Sequence, residues 1–317
     1  MENKIRLGIS SCLLGAKVRY DGGHQFNRYL HDILGEYVEY VPVCPEVEVG
    51  LPVPRDTMRL VKDENGEVRL VFPRSGEDMT ERMESWAKER VHQLDGEQLD
   101  GFVFKSKSPS SGMERVKVYG VNGMPRKTGT GVFARVFMES FPLLPVEEEG
   151  RLNDPRLREN FITAIFTMKR FREALSTSRS LHSIVDFHTR HKLLLFAHHE
   201  KNYRQMGRLV ATAKELDFEI FIDQYRSILL ETLKYKTTVK KHINVLHHIL
   251  GYFKRDLSPD EKQEALELIE NYRDELVPLI VPITMLNHFV RKYNQRYLRE
   301  QVYLNPHPKE LKLLNHV

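Results

Sequence analysis

Two cysteines and one serine-rich loop carry the chemistry open to this chain. Cys12 follows the apolar run Ile5-Arg6-Leu7-Gly8-Ile9-Ser10-Ser11, and Cys44 sits within Val41-Pro42-Val43-Cys44-Pro45-Glu46. A third run, Phe102-Val103-Phe104-Lys105, opens into Ser106-Lys107-Ser108-Pro109-Ser110-Ser111-Gly112. In open parallel sheets, loops at the carboxyl ends of strands converge on one site. Neighbouring strands would bring Cys12, Cys44 and the serine loop together there, as a metal or cluster site or as a thiol nucleophile. The third corner is Ser111, where a third cysteine would complete a ligand set.

Each of these residues also has a plainer reading. A free cysteine such as Cys12 is often just a small buried hydrophobe. Proline after a cysteine is common around iron–sulfur ligands, and it also stiffens any loop. Glu46, two residues past Cys44, is placed to transfer a proton, or else is a solvated acid. Arg19, in Arg19-Tyr20-Asp21-Gly22, extends the polar loop after Cys12. Arg55 can hold an anion or pair with an acid. The loop from Lys105 to Gly112 can cradle an anion through backbone N–H groups and lysine, although Ser-Pro-Gly turns are common on their own.

The elements that must position these residues alternate. The pattern predicts strands at 5–11, 37–43 and 101–105, and helices at 27–34, 79–94 and 131–139. Residues 61–72 predict a hairpin around Asn65-Gly66, a strong turn signal. Strands alternating with helices imply βαβ units and a parallel sheet. Residues 141–150 combine two prolines, an acidic run and a glycine, and predict a boundary. Beyond it the periodicity is helical only, over 155–175, 180–196, 202–214, 217–233, 238–253, 259–274 and 282–300. The expected fold is therefore an α/β N-terminal domain (1–145) with a parallel, Rossmann-like sheet, followed by an all-α C-terminal domain (150–317).

Composition narrows the function classes. The chain has 317 residues, 41% hydrophobic and 29% charged, which suits a soluble globular protein of two domains. No apolar run approaches the ~18 residues of a membrane span. The N-terminus enters a strand pattern without a signal-peptide core, so a cytoplasmic protein is expected. Two cysteines exclude a disulfide framework. Net charge is +4, but residues 146–317 hold 28 Lys and Arg against 23 Asp and Glu, with 11 of the 14 histidines.

Part of that excess is concentrated. Lys236, Lys240, Lys241, His247 and His248 accompany Tyr235, Tyr252 and Phe253, which suits a nucleic-acid backbone with exposed bases, or a solvated helix face. His182, His188, His191, His198 and His199 resemble a metal set, but no acid recurs at ligand spacing. They read instead as capping, core or RNA-facing residues.

Taken together the motifs are more specific. Ser-Ser-Cys-Leu-Leu-Gly with Arg-Tyr-Asp-Gly, Val-Cys-Pro-Glu-Val with Gly-Leu-Pro-Val-Pro-Arg, and Lys-Ser-Lys-Ser-Pro-Ser-Ser-Gly resemble the TudS-like thiouracil desulfidase family over about residues 4–143. The remainder resembles the YbgA-type domain at His191-Lys192-Leu193-Leu194-Leu195-Phe196-Ala197-His198, Gly251-Tyr252-Phe253-Lys254, Val281-Pro282-Ile283-Thr284 and Tyr303-Leu304-Asn305-Pro306-His307-Pro308. The combination is similar to RudS-like desulfidases, which convert 4-thiouridine in tRNA to uridine.

The resemblance implies a [4Fe-4S] cluster held by three cysteines, with one iron open to the substrate's sulfur. Cys12 and Cys44 match two ligands, and the third falls at Ser111. The family's catalytic acid matches Glu46 and its active serine matches Ser108. Arg19, Arg55, Lys105, Lys236, Lys240, Lys241 and His248 are the expected substrate or RNA contacts. The implied partner is tRNA, with no membrane and no obligate protein partner. Alternatives are a desulfidase of free thiolated pyrimidines, a catalytically inactive RNA-binding protein because of Ser111, and a plain thiol enzyme using Cys12.

Overall fold

Ile5, Leu7 and Ile9 are fully buried along the first strand, and so are Phe102, Val103 and Phe104 on its neighbour. Strands buried on both faces read as continuous apolar runs, which is how a covered parallel sheet announces itself. In the computed structural model, which describes residues 4–120 and 122–315, the strands in chain order are β1 (Ile5–Ser10), β2 (Val38–Val43), β3 (Arg59–Lys62), β4 (Val68–Val71), β5 (Gly101–Phe104), β6 (Val116–Tyr119), β7 (Pro125–Gly129) and β8 (Val146–Glu148). One sheet has the order β2-β1-β5-β8, with every pair parallel. The other has the order β4-β3-β6-β7 and is mixed. Helices α1 (Pro45–Glu48), α2 (Thr80–Asp95) and α3 (Val132–Ser140) complete this unit.

The chain divides into Met1–Asp154 and Pro155–Val317. Residues 146–148, inside the predicted boundary segment, form β8 beside β5. The second unit holds α4 (Pro155–Thr177), α5 (Leu181–His198), α6 (Glu200–Ala211), α7 (Phe218–Lys234), α8 (Val239–Gly251), α9 (Pro259–Arg273), α10 (Ile280–Lys292) and α11 (Arg296–Arg299). Side chains cap five of these N-termini: Ser180, His199, Asp217, Thr238 and Ser258, the last with Glu261 as a capping box.

Two predicted helices differ. The segment 27–34 is a single π-helical turn, Tyr29–Ile33, followed by a 3-10 turn, Leu34–Glu36. The segment 282–300 splits into α10 and α11, because Asn294 takes the left-handed conformation (φ 50°) and interrupts the helix. The second sheet was not legible either, apart from its β3–β4 hairpin. No helix among the described residues is long and apolar enough to cross a membrane.

The helical unit buries four neutral histidines. Burial lowers His188, His198 and His307 to about 4 and His191 to about 3. Each folded-state value lies below the ordinary 6.5, so their contribution is present above pH 6.5 and is lost as pH falls toward 4. Glu159, raised to about 7 by burial, acts in the opposite sense but is one group against four. Urea unfolding followed by far-UV circular dichroism is expected to show stability lower by at least about 2 kcal/mol at pH 5 than at pH 7. Equal stability at the two values would mean that these rings are hydrated.

Candidate functional site

The register of the parallel sheet fixes where the chemistry gathers. Ser10 at the end of β1 lies opposite Val43 at the end of β2, and Ile9 opposite Val103 of β5. The three strands therefore end level, and the loops that follow face one another. A cavity of about 600 Å³ opens there, lined among others by Cys12, Cys44, Glu46, Arg55, Lys107 and Ser111.

Cys12 lies in a 3-10 turn, Ser11–Leu14, directly after β1. The turn is closed by Gly15 at φ 92°, a conformation that suits glycine. Cys44 is the N-cap of α1. Its own N–H donates to Glu48 Oε1 at 2.8 Å, and Glu48 in turn pairs with Arg90 at 3.0 Å. Both thiols are nearly buried, at 8% and 9% exposure. Burial pushes Cys12 up to about 11 and Cys44 up to about 12, with Glu46 adding to both. A plain thiol enzyme needs an accessible thiolate. These two side chains are protonated at neutral pH.

The serine loop is gripped from two sides. At its ends, two successive carboxylates of the β8 segment hold it: Glu149 accepts from Ser106 N at 2.6 Å and pairs with Lys105, and Glu148 accepts from Met113 N at 2.7 Å. At its centre the loop docks on the first turn of α3. Gly131 N donates to Gly112 O at 2.7 Å, and Val132 N and Ala134 N donate to Pro109 O and Ser110 O, both at 3.2 Å. A Cβ on Gly131 would lie 2.5 Å from Ser110 backbone atoms, so only glycine permits this approach.

Within the loop, Ser108 is largely committed to structure. Its Oγ accepts from Ser110 N at 3.3 Å and from Ser111 N at 3.1 Å, and meets Ser110 Oγ at 2.9 Å. Ser110, which the motif reading passed over, is the hydroxyl that donates to Glu46 Oε1. The other carboxylate oxygen of Glu46 accepts from Cys44 Sγ at 3.6 Å and lies 3.9 Å from Arg55 Nη2. Glu46 thus joins the β2 loop to the β5 loop. The signal for Ser110 was its spacing, two residues after Ser108, which puts both on one side of a tight turn.

The cations distribute unevenly. Lys105 is taken up by Glu149. Arg55 donates to Val18 O at 3.0 Å and Pro52 O at 3.3 Å, and so holds the loop it sits in. Arg19 lies 3.6 Å from Asp21 and donates to Gln25 at 3.3 Å. Lys107 is exposed at the cavity in the left-handed region (φ 62°) and has no ion pair among the described residues. In the helical unit, Lys241 Nζ donates to His198 O at 2.6 Å and Lys236 O at 2.7 Å, while Lys236, Lys240 and His248 are exposed. His199 caps α6, and His188, His191 and His198 are core residues.

This is an α/β domain whose ligand site lies at the carboxyl ends of parallel strands, joined to a helical domain. Residues 7–149 match the family described as 2-thiouracil desulfurase, and residues 192–308 match a protein family of unknown function, DUF1722. The uncharacterized protein YbgA of Escherichia coli (strain K12) is 27% identical over 163 residues, covering 51% of this chain and 96% of that protein. The uncharacterized protein YbbK of Bacillus subtilis (strain 168) is 28% identical over 151 residues, 46% of this chain and 97% of that protein. The solved [4Fe-4S]-dependent thiouracil desulfidase TudS is 26% identical, with a TM-score of 0.39, over 48% of this chain and 95% of that one. The N-terminal unit is thus similar to 2-thiouracil desulfurases, and the helical unit to YbgA.

A cluster held by three thiolates does not fit the donors present. The chain has two cysteines, and Ser111, 3% exposed, supplies a hydroxyl at the third corner. Among the described residues no three His, Cys, Asp or Glu side chains gather as a metal site. A hydroxyl is a harder and far less acidic donor than a thiol. Anaerobic reconstitution with iron and sulfide is expected to load Ser111→Cys with about four irons and to leave the native chain well below that. Equal loading by iron and sulfide assay and visible absorbance would sink the donor-set argument.

Proposed function

We propose that the chain removes sulfur from a thiolated uracil in tRNA, 4-thiouridine, leaving uridine. The observation that carries the reading is Glu46, held between Ser110 and Cys44 at the wall of the cavity, in a domain that matches the 2-thiouracil desulfurase family. The tRNA half rests on charge. The helical half carries the basic excess, and Lys236, Lys240 and His248 stand exposed on it.

The reaction balances without redox change: C4=S and water give C4=O and hydrogen sulfide. Glu46 accepts the proton of the attacking water and returns it to the departing sulfur. Ser110 fixes the carboxylate by donating to Oε1, which leaves Oε2 toward the thiols. Cys12 and Cys44, both protonated, present weak S–H donors and polarizable surface to the thiocarbonyl sulfur. Lys107, free at the cavity, pairs with a phosphate of the flipped nucleotide, since a stacked base cannot enter such a site. Its left-handed backbone is a cost of order 1 kcal/mol held at a functional loop.

A second reading is favoured by Ser111: the domain holds the thiolated base without releasing sulfur. One assay separates them. Purified full-length chain is incubated with 4-thiouridine-containing tRNA, and sulfide and uridine are measured. Turnover is expected, with Glu46→Gln lowering it at least ~100-fold. Lys107→Ala is expected to raise KM and leave kcat unchanged. Tight binding of thiolated over unthiolated tRNA with no sulfide would replace the desulfidase reading with the binding one.

A further inference from the structure

The helical unit carries a run of aromatic rings on its surface that the sulfur chemistry does not use. Tyr203 of α6 meets Phe196 of α5 (ring centroids 5.4 Å apart), and Phe196 meets His248 of α8 at 6.0 Å. His248 meets Tyr252 at 5.6 Å, and Tyr252 stacks on Tyr297 of α11 at 5.3 Å and 23°. Four separate helices thus build one row. Phe196, Tyr203 and Tyr297 are half-buried against the core, while Tyr252 (38% exposed) and His248 are exposed, so the row is anchored in the core and reaches the surface at those two rings.

Two helix glycines share this face. Gly207 is one turn beyond Tyr203 in α6, and Gly251 is three residues beyond His248 in α8. At both, an added Cβ would meet nothing within 4 Å. Glycine weakens a helix interior relative to alanine; Gly251 ends α8, whereas Gly207 lies inside α6 with open space over it. Open space over both leaves their backbone approachable from outside.

We propose that this row is a stacking platform for unpaired RNA bases, a deepening of the tRNA reading on which it rests. Lys254 and Arg255 follow Tyr252, and Arg296 precedes Tyr297; all three are exposed without an ion pair among the described residues. Rings flanked by unpaired cations suit single-stranded RNA, whose bases stack while its phosphates meet the charges. A second copy of this chain would instead set like charges face to face, and an apolar protein partner would bury tyrosine hydroxyls.

The test is fluorescence anisotropy of the full-length chain with a short oligouridine and with duplex RNA of the same length, at low and high salt. Tyr252→Ala and Tyr297→Ala are each expected to weaken oligouridine binding about tenfold with an unchanged salt slope. Gly251→Leu is expected to weaken it similarly at undiminished helix content. The proposal is overturned by native-like affinity in both tyrosine variants, by equal losses on duplex RNA, or by Gly251→Leu altering the oligomeric mass and not the RNA affinity. Sulfide release from thiolated tRNA is read in parallel. Its absence with the tyrosine effect intact fails the desulfidase reading alone, and its presence with native-like tyrosine variants fails the platform alone.

Discussion

The level ending of β1, β2 and β5 is the constraint from which the site follows. Parallel strands share a direction, so their following loops emerge on one side, and register decides whether those loops meet. Here Ser10 is opposite Val43, and Ile9 opposite Val103. The approach of β1 to β5 depends on Gly8, because a Cβ there would sit 2.2 Å from the Phe102 ring. Any larger residue must displace a ring that contacts Phe104, Phe133 and Phe137. Core packing and site geometry are therefore coupled through one glycine.

The loops are then fixed by polar accounting. A buried backbone N–H must find a partner, and the serine loop supplies its own for Ser110, Ser111 and Gly112 but not for its ends. Two neighbouring carboxylates, Glu148 and Glu149, answer this for both ends of the serine loop, and Glu147 pairs with Arg151 behind them. The acidic run at 147–149 reads in sequence as part of a domain boundary. In the fold it is the clamp that holds Ser108, Ser110 and Ser111 at the cavity.

Much of this was legible. The three apolar runs, the Asn65-Gly66 hairpin and the helix starts at Pro155 and Ser258 each have a local physical cause written into a few residues. The rule for parallel sheets brought Cys12, Cys44 and the serine loop with Ser111 to one place, and Glu46 was added from its spacing to Cys44 and from the family resemblance. What was not legible depends on distant partners. The mixed sheet forms when β6 joins β3 across more than fifty residues of chain, and nothing in Val116-Lys117-Val118-Tyr119 names that partner. Likewise Lys105 and Arg55 look like ligand contacts in isolation. Their charges are answered by Glu149 and by carbonyls of their own neighbourhood.

That neutralisation determines what the cavity prefers. Lys105 faces Glu149, Arg19 faces Asp21, and Arg55 lies beside Glu46, while both cysteines are neutral thiols. A strongly charged small molecule therefore finds few free counter-charges within it. An uncharged group carrying a polarizable sulfur meets soft, neutral surface there, and on the proposed reading Lys107 is the cation left for a phosphate at the cavity.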